Sequence, residues 1–266
     1  MANLLAVSAI LLYSFAALLQ FRRIRGHQGT PRNLLMGSAA AAVLCHSAAW
    51  FMPIFSEHGM NFSLFNGGSL IALAISAIVL ISAIKKPVEN LFIGIFPMTA
   101  LVMAMDLFIP GNHHALEHFN RGLLAHILLS VLAYSLLTIA AFQGILVIIQ
   151  DQQLKRKHVA GILRSLPPLQ TMDKLMFEMI WAGMIFLTLA IGSGFVFLDN
   201  MFAQHLAHKT LLSIIGWCIF AALLLGRYRF GWRGQTASIW TLSGLGLLAL
   251  AYFGSKLVLE FILSSH

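Results

Sequence analysis

Apolar residues fall into eight long runs, at about 2–21, 34–54, 63–84, 91–109, 123–150, 175–198, 210–226 and 239–263, with polar breaks between them. Each run is 17–28 residues long, which suits a helix crossing about 30 Å of hydrocarbon. The runs lack the ten-residue alternation of a membrane barrel, and lipid admits no other spanning form than helices or a closed barrel. The pattern predicts an all-α polytopic bundle of eight transmembrane helices, with 1–266 forming a single integral membrane domain. The fifth helix is expected to continue through about Gln153 beyond the membrane, and Pro167-Pro168 to end any further helix. Gly94, Pro97 and Pro110 are expected to kink or end the fourth span. Small residues at Gly37–Ala42, Gly192-Ser193-Gly194 and Gly244-Leu245-Gly246 predict close helix approach.

Charge sets a direction on this pattern. The breaks at 22–33, 85–90, 151–174 and 227–238 hold four, two, five and three of the 17 Lys and Arg residues. The alternate breaks hold only Arg121 and Lys209, with Lys256 near the end of the last run. By the positive-inside rule the basic breaks are cytoplasmic, which puts both termini on the outer, periplasmic side of a bacterial inner membrane. The first run ends in Phe21-Arg22-Arg23 with no small-residue cleavage site and reads as a retained span. A composition of 59% hydrophobic and 10% charged residues excludes a soluble globule. The net charge of +8 lies beside anionic lipid, so the bilayer rather than nucleic acid is its expected partner. The polar stretch 151–174 is too short for a separate domain.

Nine of the 11 histidines fall on the opposite side from the cations: His46, His58, His113, His114, His118, His126, His205, His208 and His266. Neutral imidazole ligates transition metals, and two imidazoles from separate helices can hold haem iron axially. His126 lies about one turn inside the outer end of the fifth span. His46 lies about 18 Å from the cytoplasmic end of the second span, at 1.5 Å per residue, a depth at which an ionisable group suggests function. His114 to His118 reads HALEH rather than HExxH, so a zinc protease is disfavoured. Asp106 and Asp199 fall near outer helix ends within reach of water, and Lys256 and Glu260 are spaced to pair. Cys45 and Cys218 form no CxxC motif and read as small buried residues.

These residues resemble the cytochrome c assembly proteins of the CcsA, CcmC and CcmF type, over nearly the whole chain. The segment His126-Ile-Leu-Leu-Ser-Val-Leu-Ala-Tyr134 is similar to the family's His followed eight residues later by Tyr. Lys209-Thr-Leu-Leu-Ser-Ile-Ile-Gly-Trp217 resembles the helix that follows the family's tryptophan-rich loop. His46 with Leu64-Phe-Asn66, and Ala251-Tyr-Phe-Gly254, are similar to its early His, its Asn-containing segment and its last helix. The chain departs from the family where a Trp-x-Trp-Asp loop would precede Lys209, since Gln204-His-Leu-Ala207 stands there. The family's second axial His aligns near Leu263, three residues before His266.

The resemblance implies a haem-handling membrane protein related to cytochrome c biogenesis, with haem b near the outer face and His126 as one axial ligand. The second ligand would be His266, or failing it His205 or His208. His46 would either stabilise the pocket or ligate haem in transit. The partners implied are other membrane or cytochrome c biogenesis proteins. No residue is supplied for attaching haem to an apocytochrome, so an enzyme is not expected. Two other readings stay open: a scaffold or regulatory subunit that kept the fold without the haem site, and a small-molecule or ion transporter. The scarcity of carboxylates in mid-span counts against proton coupling in the latter. Reporter fusions at 155–165 should prove cytoplasmic and fusions at 112–118 external; the reverse pattern overturns the outward placement of the histidines.

Overall fold

The structure, a computed structural model, describes residues 1–26, 30–55, 64–109, 121–155, 166–197 and 204–254. It contains eight helices: α1 (Ala2–Ile24), α2 (Arg32–Phe51), α3 (Leu64–Lys85), α4 (Phe92–Phe108), α5 (Arg121–Lys155), α6 (Leu169–Phe197), α7 (Gln204–Phe230) and α8 (Gly234–Ala249). A 3-10 turn at Glu89–Leu91 leads into α4, and a π-helical turn, Leu250–Gly254, continues α8. All eight are long and apolar enough to cross a membrane, counting these two turns as part of α4 and α8. The described residues contain no strand.

The boundaries follow the predicted pattern with two differences, at the start of α6 and at Pro97. The fifth helix does run past its apolar stretch, to Lys155. The sixth starts at Leu169, directly after Pro167-Pro168 and six residues before its apolar run. Pro preorganises a helix start as readily as it blocks continuation, and Asp173 and Lys174 belong to the added turns. Pro97 is absorbed inside α4 rather than ending it, while Pro110 lies outside the described residues.

The chain divides into two compact units, α1–α4 and α5–α8. In the first, α1 packs on α2 and α4, and α3 on α4 and α2, closing a ring of four helices. In the second, α5 packs on α6 and α8, and α7 on α8 and α6. Leu4, Leu11, Phe15 and Leu18 of α1 are exposed, as expected for a surface that faces lipid rather than water.

Each unit is fastened at its arginine-bearing end by one carboxylate. In the first, Glu89 accepts from Arg23 at 2.8 Å and from Arg32 at 2.5 Å. Arg32 also donates to the Ala83 carbonyl at 2.7 Å. One acidic residue thereby joins the ends of α1, α2 and α3 to the start of α4. In the second, Asp173 pairs with Arg227 at 2.9 Å and accepts from the Gly234 backbone N–H at 2.9 Å. Arg227 donates onward to the Trp232 carbonyl and lies over the Phe177 ring. The α7–α8 turn that these bonds hold needs positive φ at Gly231 and Gly234 (65° and 60°). Three of the arginines in the basic breaks are thus structural.

The small-residue expectation holds only in part. A Cβ at Gly244 would press on the Phe220 ring at 2.7 Å, so that glycine does admit a neighbour. Gly37, Gly192 and Gly246 face open space. The cysteine expectation is corrected: Cys45 is half-buried and Cys218 exposed, because lipid is as apolar as a core and exerts no pressure to bury a small side chain.

Asp173 is only 7% exposed, so removing it strands a guanidinium and a backbone donor together. Asp173→Ala should cost about 2–4 kcal/mol of stability, read as a lowered Tm of the detergent-solubilised protein. Lys155→Ala, which breaks the exposed i,i+4 pair with Asp151, should cost under about 0.5 kcal/mol. Equal effects would overturn the assignment of Asp173 as the clasp.

Candidate functional site

Within the second unit, His126 sits five residues into α5, about 7 Å along its axis from Arg121. That is the end opposite the Asp173 clasp, because α5 and α6 run antiparallel. The ring is half-buried. Its Nδ1 lies 2.9 Å from the Ala190 carbonyl oxygen and 3.2 Å from Ser193 Oγ, both on α6. A carbonyl can only accept, so Nδ1 carries the proton and donates. Ser193 gives its own hydroxyl hydrogen to the same carbonyl at 2.8 Å, leaving its oxygen as a second acceptor for Nδ1–H. The tautomer is thereby fixed, and Nε2 carries the lone pair, with no partner among the described residues. Metal-ligating histidines are commonly held in this way by a carbonyl behind the ring. Ser193, flanked by the glycines read as packing residues, has this bonding role.

The same unit holds a cation and two phenols in sequence. Lys209, the first residue of the seventh span, is an electrostatic neighbour of His126. Its Nζ sits 5.2 Å from the centre of the Tyr252 ring. Tyr134, two turns deeper than His126, donates to the Leu248 carbonyl at 2.7 Å, and its ring lies 5.8 Å from that of Tyr252. Leu248 lies two residues before the π-helical turn, where the change of hydrogen-bond register disturbs the regular ladder. Tyr134 thus pins α8 at its irregular turn. No group of three or more His, Cys, Asp or Glu able to hold a metal ion occurs among the described residues. A bare divalent ion beside Lys209 would also be repelled. A metal inside an anionic macrocycle fits the same surroundings: one imidazole nitrogen for the iron, and a cation for acidic substituents.

His46 lies in the first unit and is fully buried. Both its ring nitrogens are engaged, Nδ1 with the Tyr13 hydroxyl at 3.3 Å and Nε2 with Ser69 Oγ at 3.1 Å. Ser69 and Asn66 in turn bond the Asp106 carboxyl. On the other side, Ser76 bonds Tyr13 and lies 2.9 Å from Thr99. Five of these groups, Tyr13, His46, Ser69, Ser76 and Thr99, are almost wholly buried. With Asp106 ionised the order is directional: Tyr13 donates to Nδ1, Nε2–H to Ser69, and Ser69 to the carboxylate. A polar chain through all four helices, α1 to α4, results. Asp106, near the end of α4 and half-buried, has its carboxyl tied to α3.

The remaining predicted residues are not gathered by the described structure. His58, His113, His114, His118 and His266 lie outside the described residues, as do Asp199, Lys256 and Glu260. The backbone of His205 and His208 opens α7, and their side chains lie outside the described set. Sequence reasoning passed over Tyr13, Ser69, Ser193 and the site role of Lys209. A lone phenol or cation in or beside an apolar run is the signal that could have found Tyr13 and Lys209; the serines carried none.

Residues 34–263 match the family model described as "Cytochrome C assembly protein". The chain is 31% identical over 259 residues to "Inner membrane protein YpjD" of Escherichia coli K12, covering 97% of this chain and 98% of that protein. It is 25% identical over 159 residues to "Protein HemX" of Brevibacillus brevis, 58% of each. It is 29% identical over 91 residues to "Cytochrome c biogenesis protein CcsA" of a Synechococcus, 34% of this chain and 30% of that one. No solved structure matches the chain.

His46→Leu leaves the Tyr13 and Ser69 hydroxyls without their partner and should destabilise by about 2–4 kcal/mol. Tyr13→Phe should cost less, and the double variant less than the sum of the two. Thermal unfolding in detergent measures all three; strict additivity would mean that the chain is not a coupled network.

Proposed function

Because the chain belongs to the cytochrome c assembly protein family, we propose that it binds haem b in the inner membrane, with Nε2 of His126 as an axial ligand. The observation that carries this reading is the bond from His126 Nδ1 to the Ala190 carbonyl. It frees the outer nitrogen, fixes the ring against rotation, and raises the basicity of the ligand atom. When bound, the haem supplies an iron centre to be carried or presented. The chain's own residues hold and orient it: His126 by its imidazole, Ala190 and Ser193 by holding that imidazole, and Tyr134 by fixing the adjacent turn of α8. A role connected with cytochrome c biogenesis is supported by the family and by the names of the relatives. The second ligand in this reading is His266, with His205 or His208 as substitutes. His46, with both nitrogens bonded, acts as the hub of the first unit rather than as a ligand.

The scaffold reading is favoured by one observation, the Gln204-His-Leu-Ala207 stretch where the family carries tryptophans and an aspartate. Those tryptophans would offer aromatic faces to a porphyrin, and here the bundle's aliphatic side chains must bury it instead.

The two readings separate on protein purified in mild detergent from haem-replete cells. The wild type should show a low-spin reduced spectrum of an imidazole-ligated haem. His126→Ala should lose it, Ser193→Ala should weaken binding severalfold, and His46→Gln should keep it. Absence of haem from the wild type, where another family member retains its own under the same handling, would leave the scaffold reading standing.

A further inference from the structure

Lys209 is an unusual cation for this chain. Most of the others cluster in the basic breaks, where Arg23, Arg32, Lys155 and Arg227 are held in ion pairs. Lys209 stands instead at the sparsely charged end of the second unit, half-buried at the start of a span. The described carboxylates of that unit are Asp151, Asp173 and Glu178. The first two pair with Lys155 and Arg227, and Glu178 lies in the first half of α6, away from the end that carries Ser193. An ammonium drawn partly out of water beside lipid is costly without a counter-charge. Its ammonium lies 5.2 Å from the centre of the Tyr252 ring, a position that directs the charge without neutralising it. That face is itself placed by the π-helical turn, whose approach Tyr134 pins through the Leu248 carbonyl. A set of contacts therefore runs from Tyr134 through α8 and Tyr252 to Lys209, the electrostatic neighbour of His126.

We propose that Lys209, seated on the Tyr252 ring, forms a carboxylate-binding subsite of the His126 site and receives an acidic substituent of the ligand, for haem a propionate. The subsite rests on the haem reading and adds to it a basis for selectivity. The imidazole binds the iron of any haem, while Lys209 favours a porphyrin that keeps its acidic side chains. Its charge also discourages a free divalent cation from occupying His126. Tyr252 is a positioning residue here, since it acts on the ligand only through Lys209.

The test is a titration of the purified, haem-depleted full-length protein with haem and with haem dimethyl ester, which has the same iron and ring but no acidic groups. The wild type should bind haem about tenfold tighter than the diester, the contribution of one charge-assisted contact. Lys209→Gln should bring the two affinities together by weakening haem alone. Lys209→Arg should keep the preference, and Tyr252→Leu should reduce it where Tyr252→Phe does not. His126→Ala should weaken both porphyrins alike. A wild type that binds both equally, or a Lys209→Gln variant that loses both equally, overturns the subsite and leaves haem binding intact. A wild type that binds neither overturns the haem reading together with the subsite.

Discussion

Hydrocarbon offers no water to a polar group, so every hydrogen-bonding atom inside this protein must find a partner in the protein. That one constraint makes the chain helical, sets the helix lengths, and fixes where polar side chains are tolerated. Its effect is plainest where several polar groups are brought together. Glu89 satisfies two arginines, and Asp173 satisfies an arginine and a backbone N–H. The chain from Thr99 to Asp106 links six polar side chains across the four helices of the first unit. In water such groups would exchange partners with solvent; in lipid they hold the four helices of a unit in one arrangement.

The same constraint gives the two histidines their different characters. His46 has both nitrogens committed, and its ring is closed off from any metal by its own partners. His126 has one nitrogen committed and the other without a partner among the described residues, five residues into α5. A half-satisfied imidazole would be a defect in a structural role. It is the expected condition of a ligand awaiting its metal, and the cation at Lys209 adds the charge that an acidic porphyrin requires.

Much of the fold was legible because bilayer thickness imposes a length on each apolar run and polar breaks must separate them. The ends were less legible. Turns carrying Gln170, Thr171, Asp173 and Lys174 extend α6 past the hydrocarbon, where hydropathy has no further say. Hydropathy also does not distinguish a lipid-facing from a buried side chain, which is why Cys218 was misplaced. A glycine permits a close neighbour without providing one, as Gly37 and Gly244 illustrate. Of the site, His126 and Tyr134 were visible through their likeness to a family. The Ala190 bond was not, since every residue carries a carbonyl and only the packing of α5 on α6 selects this one. The chain through Tyr13, His46, Ser69 and Asp106 draws on four helices, and no spacing within one helix foretells it.

The central claim is that His126 is held as the Nδ1–H tautomer with Nε2 free, and nitrogen NMR of the ¹⁵N-histidine-labelled, haem-depleted protein in bicelles reads this directly, with His126→Gln to assign the signal. The account predicts a protonated, hydrogen-bonded Nδ1 and an unprotonated Nε2 for His126, with the Nε2 signal lost or strongly shifted on adding haem. A proton on Nε2, or an Nε2 signal indifferent to haem, would contradict it.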